Sequence, residues 1–125
     1  MSEDLVADYA VGSPTRLALN VLAHKWTLLI VLALKGAPLR FTRLRSLVPG
    51  VTSQVLTDSL RELERDGMVV RLERTAAPPH VEYSLSELGA TLCEPARAIR
   101  AWAERNGPAV LAARQRYDDR RAVQP

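Results

Sequence analysis

Apolar residues recur along this chain at helical spacing for most of its length and at strand spacing in one short region. Ser13-Pro14 predicts a helix start, with a hydroxyl to cap it and a proline at the first helical position. That helix reaches about Ala23, with Leu17, Val21 and Leu22 turned inward. The next, Lys25 to Lys35, is apolar nearly all round and so predicts the buried centre of the fold. Gly36 stops it, and Pro38 bars continuation. Leu39 to Phe41 has the makings of a very short strand. Thr42 caps a short helix that holds Leu44 and Leu47 and ends at Pro49-Gly50. Thr52 caps the helix over residues 52–66, where Val55, Leu56, Leu60 and Leu63 keep helical spacing and Gly67 closes.

The period then changes. "MVVRLER" and "VEYSLS" alternate loosely around "TAAPPH", which predicts a hairpin whose proline-bearing loop is too long for a two-residue turn. Ser86 begins a further helix that runs through Trp102 to about Asn106, kinked or broken at Pro95. Gly107-Pro108 starts a last helix, frayed after Asp118. Leu28, Ile30, Leu32, Leu44, Leu56, Leu60, Leu63, Val69 and Leu85 form most of the expected core. The order is a helix-turn-helix with a hairpin appended: a mainly α fold with a small β-hairpin wing, α+β, in one domain over residues 1–125.

The helix over 52–66 separates its faces. At about 100° per residue, Leu56, Leu60 and Leu63 cluster within roughly 60°, and Gln54, Thr57, Arg61 and Arg65 lie opposite. A helix of this kind fits the major groove of DNA, where glutamine suits adenine, arginine suits guanine and the threonine methyl suits thymine. Thr52 and Ser53 stand at its positive N-terminal end, where a phosphate is favoured. Asp58 shares this face and is repelled by phosphate unless it pairs with Arg61 or Arg65 or meets a cytosine amino group. An amphipathic surface helix with a merely solvated outer face gives the same pattern, so the cap, the basic short helix before it and the hairpin after it carry the distinction.

Charge placement supports the DNA reading more than the net +3 does. Between Asp8 and Asp58 there is no acid, while Arg16, Lys25, Lys35, Arg40, Arg43 and Arg45 all fall in that interval. A run of one sign draws polyanions. Lys25, Arg40 and Arg43 are placed for phosphates, and Arg74 and His80, with Arg71, for the flanking backbone or the minor groove on the hairpin side. A single cysteine, Cys93, allows no intrachain disulfide and reads as a small core residue. His24 and His80 have no carboxylate at ligand spacing, so no metal site is expected. No nucleophile motif, phosphate-binding glycine loop or carboxylate pair predicts catalysis, and no cofactor is implied. Trp26 and Trp102 read as packing residues. The acidic "MSEDLVADYA" is no signal peptide, and "LLIVLAL" is far short of the roughly 20 residues of a membrane span, which predicts a cytoplasmic protein.

Three segments, "HKWTLLIVLAL", "LRFTRLRSLVPGVTSQVLTDSLRELERDGMVVR" and "PPHVEYSLSELG", together resemble the HxlR-type (DUF24) winged-helix transcriptional regulators of bacteria. The resemblance covers roughly residues 13–104. It implies a prokaryotic regulator, a repressor or an activator, that binds double-stranded operator DNA as a homodimer and often controls a neighbouring gene. Residues 13–86 would be the DNA-binding core and wing, and residues 1–23 and 87–122 the dimerisation helices, with Leu17, Val21, Ile99 and Trp102 at the contact. A small-molecule effector of unknown identity belongs to the same picture. Several members sense oxidants through a cysteine in a Cys-Pro pair just before the first helix. Here the pair is Ser13-Pro14, and a serine cannot form a thiolate. His80 replaces the basic residue that usually follows the two prolines, which weakens a wing contact or makes it depend on pH. Two rival functions remain: a winged helix that binds protein through the same face, which suits Asp58, and an architectural DNA protein without sequence preference.

Overall fold

A computed structural model describes residues 10–22 and 24–123. The chain divides into two compact units, residues 1–93 and 94–125. In the first, α1 (Pro14–Leu22), α2 (Thr27–Leu34), β1 (Leu39–Arg40), α3 (Phe41–Leu47), α4 (Ser53–Arg65), β2 (Val69–Arg74), β3 (His80–Leu85) and α5 (Glu87–Ala90) follow in order. The second consists of the helix α6 (Cys93–Val123) from its second residue onward.

The Ser13 hydroxyl accepts the Arg16 N–H at 3.2 Å and starts α1 as its sequence requires. Val21 is buried, but Leu17 is 62% exposed rather than inward. Ala23 and the Leu22 side chain lie outside what the structure describes. In α2 only Thr27, Ile30, Val31 and Leu34 are buried, while Leu28 and Leu32 are half-buried and Leu29 is exposed. A helix that is apolar all round carries no mark of which stripe will be covered, so the expected core members Leu28 and Leu32 were one step out of phase. Gly36 follows α2 without a positive φ, so it is no left-handed stop.

β1 pairs with β3, Leu39 opposite Tyr83 and Arg40 opposite Glu82. This pairing holds Arg40 extended and makes it the N-cap of α3, so the helix begins at Phe41 and Thr42 lies within it rather than capping it. The tight connection to α4 passes through Gly50, whose φ of 92° favours glycine. Thr52 does cap α4, its hydroxyl accepting the Val55 N–H at 3.1 Å. At the other end Gly67 adopts φ 77°, with Gly67 N–H donating to the Glu64 carbonyl and Met68 N–H to the Leu63 carbonyl, both bonds of a Schellman stop.

The wing is a three-stranded antiparallel sheet ordered β1-β3-β2, one strand more than the hairpin alone. Ile30 and Leu34 of α2, Leu44 of α3, Val48 and Val51 after it, the α4 leucines and Val69 of β2 form the core. Trp26, Phe41, Tyr83 and Leu85 pack partly buried around it. A clasp joins the end of α4 to the end of β3. Ser86 N–H donates to the Met68 carbonyl at 3.0 Å, and the Ser86 hydroxyl donates to the Gly67 carbonyl at 2.5 Å while accepting the Gly89 N–H at 2.9 Å. Gly89 is buried so closely against this strand exit that a Cβ there would fall on the Met68 carbonyl.

The helix expected from Ser86 to Asn106 is instead the four-residue α5, a turn at Thr91 and Leu92, and then α6. Pro95 neither kinks nor breaks it, because it falls in the first turn of α6, where its missing N–H has no partner to lose. Pro108 lies inside α6 rather than at the start of another helix. The strong helix formers after it, "AVLAARQR", carry the helix past that point. Within α6, Arg100 pairs with Glu104 at 3.0 Å and Gln115 with Asp119 at 2.9 Å, both at i,i+4 spacing. Ile99, Trp102 and Tyr117 form one exposed stripe along it.

Candidate nucleic-acid interface

The orientation of α4 decides what its polar side can do. Leu56, Leu60 and Leu63 are 0%, 2% and 3% exposed, which leaves Ser53, Gln54, Asp58, Arg61 and Arg65 in solvent and Thr57 half-buried. Burying three leucines contributes about 1.5–3 kcal/mol each, enough to fix the rotation of the helix about its axis. The outward face is therefore a consequence of the core.

The two arginines of this face and the wing cations differ. With no other described residue do Arg61 or Arg65, or Arg40 and Arg43, form an ion pair. The wing arginines are matched: Arg71 with Glu73 at 2.8 Å, and Arg74 with Glu82 at 3.1 Å. His80 lies on Glu82 as well, Nε2 to the carboxylate at 2.8 Å, with Nδ1 at 3.0 Å from the Pro78 carbonyl. Hydrogen bonds from His80 and then Arg74 to its charged form lower the Glu82 carboxyl below its ordinary value. The Glu73 carboxylate, and after it the Tyr83 hydroxyl, hold the Arg71 guanidinium more firmly charged. Arg74 and His80, both read from the sequence as backbone contacts, thus share one carboxylate that the sequence reading did not assign to them.

A cleft of about 350 Å³ runs between α4 and the wing, lined by Thr57, Leu60, Arg61 and Glu64 on one side and by Arg71 and Tyr83 on the other. Arg61 and Arg71 flank the same space, so a phosphodiester passing between helix and wing would meet charge from both. Tyr83 and Glu64 were missed by the sequence reading. Tyr83 stands opposite Arg71 in the strand register, and that register follows from the pairing of β2 with β3, which alternation alone does not fix. Lys25 Nζ lies 5.0 Å from the centre of the Trp26 ring. His24, against expectation, has a carboxylate neighbour, Glu62 on α4 at 3.5 Å.

Asp58 pairs with neither Arg61 nor Arg65. Its Oδ1 accepts from Gln54 Nε2 at 3.0 Å, one turn back on α4. Ser13, where a sensing cysteine would stand, is buried at the start of α1, and Cys93 is buried. Among the described residues, no three His, Cys, Asp or Glu side chains gather as a metal site would require. No helix among them is long and apolar enough to cross a membrane.

The profile of HxlR-like helix-turn-helix proteins matches residues 21–110, most of the chain. The chain belongs to the HxlR-like helix-turn-helix family. Proteins of this family similar to it include YtfH of Escherichia coli K12, described as an uncharacterized HTH-type transcriptional regulator, 41% identical over 106 residues, or 85% of this chain and 84% of that one. Of the solved structures, the regulator YtfH of Salmonella typhimurium matches at TM-score 0.73 and 39% identity, covering 86% of this chain and 96% of its own. The redox regulator HypR in its reduced form matches at TM-score 0.74 and 36% identity, covering 80% and 99%. Family membership makes this chain a helix-turn-helix transcriptional regulator.

Proposed function

We propose that this regulator is a repressor that binds a pseudo-palindromic operator as a homodimer, with α4 in the major groove and the wing on the flanking backbone. The observation that carries the reading is the solvent-facing row of Gln54, Arg61 and Arg65, set by the buried leucines opposite and capped by Thr52. Gln54 and Arg61 contact base edges, with Thr57 and Arg65 beside them, and the Thr52–Ser53 end of the helix takes a phosphate. Lys25, Arg40 and Arg43 add phosphate contacts, and Arg74 and His80 add weaker ones because Glu82 already holds them. The exposed stripe of Ile99, Trp102 and Tyr117 along α6, and separately the exposure of Leu17 on α1, offer apolar surface to a second chain. Val21 contributes less, since its own chain covers it.

The protein-binding alternative leaned on Asp58, and the bond from Gln54 supplies that carboxylate with a partner inside the helix. Selection of a preferred duplex from a random pool, followed by titration of salt, tests the reading. A near-palindrome with half-sites about 10 base pairs apart and a steep salt dependence is expected. Failure to bind any duplex at low ionic strength would overturn it, and equal affinity for the selected and unrelated duplexes would leave an architectural role. A reporter gene behind the selected site distinguishes repression from activation.

A further inference from the structure

The Gln54–Asp58 bond has a chemical consequence on the reading face. An ionised carboxylate only accepts, so the Gln54 amide must turn its nitrogen toward Asp58. One N–H is thereby used, and the carbonyl oxygen and the second N–H remain for the groove. Adenine offers a donor and an acceptor on its major-groove edge, whereas guanine offers two acceptors. A glutamine free to rotate can give a hydrogen to either purine. With its nitrogen held, Gln54 instead presents a fixed acceptor and donor, a pair that matches adenine and sets oxygen against oxygen on guanine.

We infer that Asp58 is a positioning residue that makes Gln54 selective for adenine over guanine. This rests on the proposal that α4 lies in the major groove. Asp58 also repels the phosphate backbone, so on this view it trades general affinity for discrimination. An i,i+4 pair that only supports the helix would repel phosphate as well but would not discriminate between the purines.

The test takes the full-length protein and its selected duplex, with every base pair of one half-site varied in turn. Gln54→Ala should relax one adenine position by about 5- to 150-fold, the discrimination expected of a good bidentate contact. Asp58→Ala should reduce adenine-over-guanine discrimination at that same position by about 2- to 12-fold, the effect of freeing one ordered side chain. It should also bind random duplex more tightly, as a negative charge is gone. Asp58→Glu, which keeps an acceptor within reach of residue 54, should retain the preference. In a Gln54→Ala background, Asp58→Ala should change discrimination no further. Discrimination unchanged in Asp58→Ala, or reduced equally in the Gln54→Ala background, overturns the inference and leaves the major-groove reading standing. No adenine at the position that Gln54→Ala relaxes also overturns it. A wild-type protein without duplex preference overturns both.

Discussion

Of the alanine substitutions at glycine, Gly89→Ala meets the closest obstacle and should cost this protein most. The new Cβ would stand on the Met68 carbonyl and 2.9 Å from its carbon, and the obstacle is backbone rather than a side chain that can swing away. Overpacking of this kind costs about 1–3 kcal/mol, and an unyielding partner puts it in the upper part of that range. Separating the strands enough to admit the methyl group strains the bond from Ser86 N–H to the same carbonyl, about 1 kcal/mol more. The reduced freedom of the unfolded chain offsets about 0.4–1 kcal/mol. The net is about 2–3 kcal/mol, a large part of the stability of a small domain. With urea slopes of about 1–3 kcal/mol per molar, the unfolding midpoint should fall by about 0.7–3 M, read from the circular dichroism of the helices. Gly67→Ala serves as the contrast, because its cost comes from φ 77° alone while its nearest neighbour would be a flexible leucine end at 3.8 Å. An unchanged or raised midpoint for Gly89→Ala would refute the argument, since it would mean that the clasp opens freely.

Arg61→Ala should cost about 1–3 kcal/mol on the selected duplex and relax base preference, and equal loss on specific and random DNA would make Arg61 a phosphate contact only. Arg43→Ala should instead weaken all duplexes alike and lower the slope of log affinity against log salt by about 1, and an unchanged slope would remove Arg43 from the interface. Thr52→Ala should destabilise the fold by about 0.5–2 kcal/mol in thermal or urea unfolding, because the Val55 N–H loses its acceptor, and an unaltered midpoint would show that water replaces the cap. Glu82 titrates below its ordinary value of 4.5 because His80 and Arg74 stabilise the carboxylate. Its contribution is therefore full above that value and lost as pH falls through the lower, folded one. Glu82→Gln should flatten the acid limb of the stability curve, and identical acid limbs for the two proteins would contradict the pairing.

Much of α4 was legible because the helix segregates its faces. Leu56, Leu60 and Leu63 recur at helical spacing, Thr52 and Gly67 mark the ends, and the polar row follows by geometry. Other features depend on partners distant in sequence. Nothing local says that Arg40 will pair across a sheet with β3 and so displace the cap of α3 by two residues from Thr42. The buried stripe of α2 was illegible because every stripe is apolar. The unbroken α6 defeated the local signals of Pro95 and Gly107-Pro108, since proline in a first turn loses nothing and the second proline lies among strong helix formers. The partner of Asp58, at i−4 on the same helix, was not singled out by spacing, because Arg61 at i+3 lies equally within reach.

In the sheet order β1-β3-β2, the strand leading into α3 finds its partner only roughly forty residues later. During synthesis the helix-turn-helix leaves the ribosome with one flank unsupported, and β1 stays an unpaired edge until β3 is made. A nascent or truncated chain ending before residue 80 would carry α3 and α4 and lack β3, the strand with which both β1 and β2 pair. The extended backbone that caps α3 thus depends on a pairing made late in the chain, and contacts of such long sequence separation form slowly.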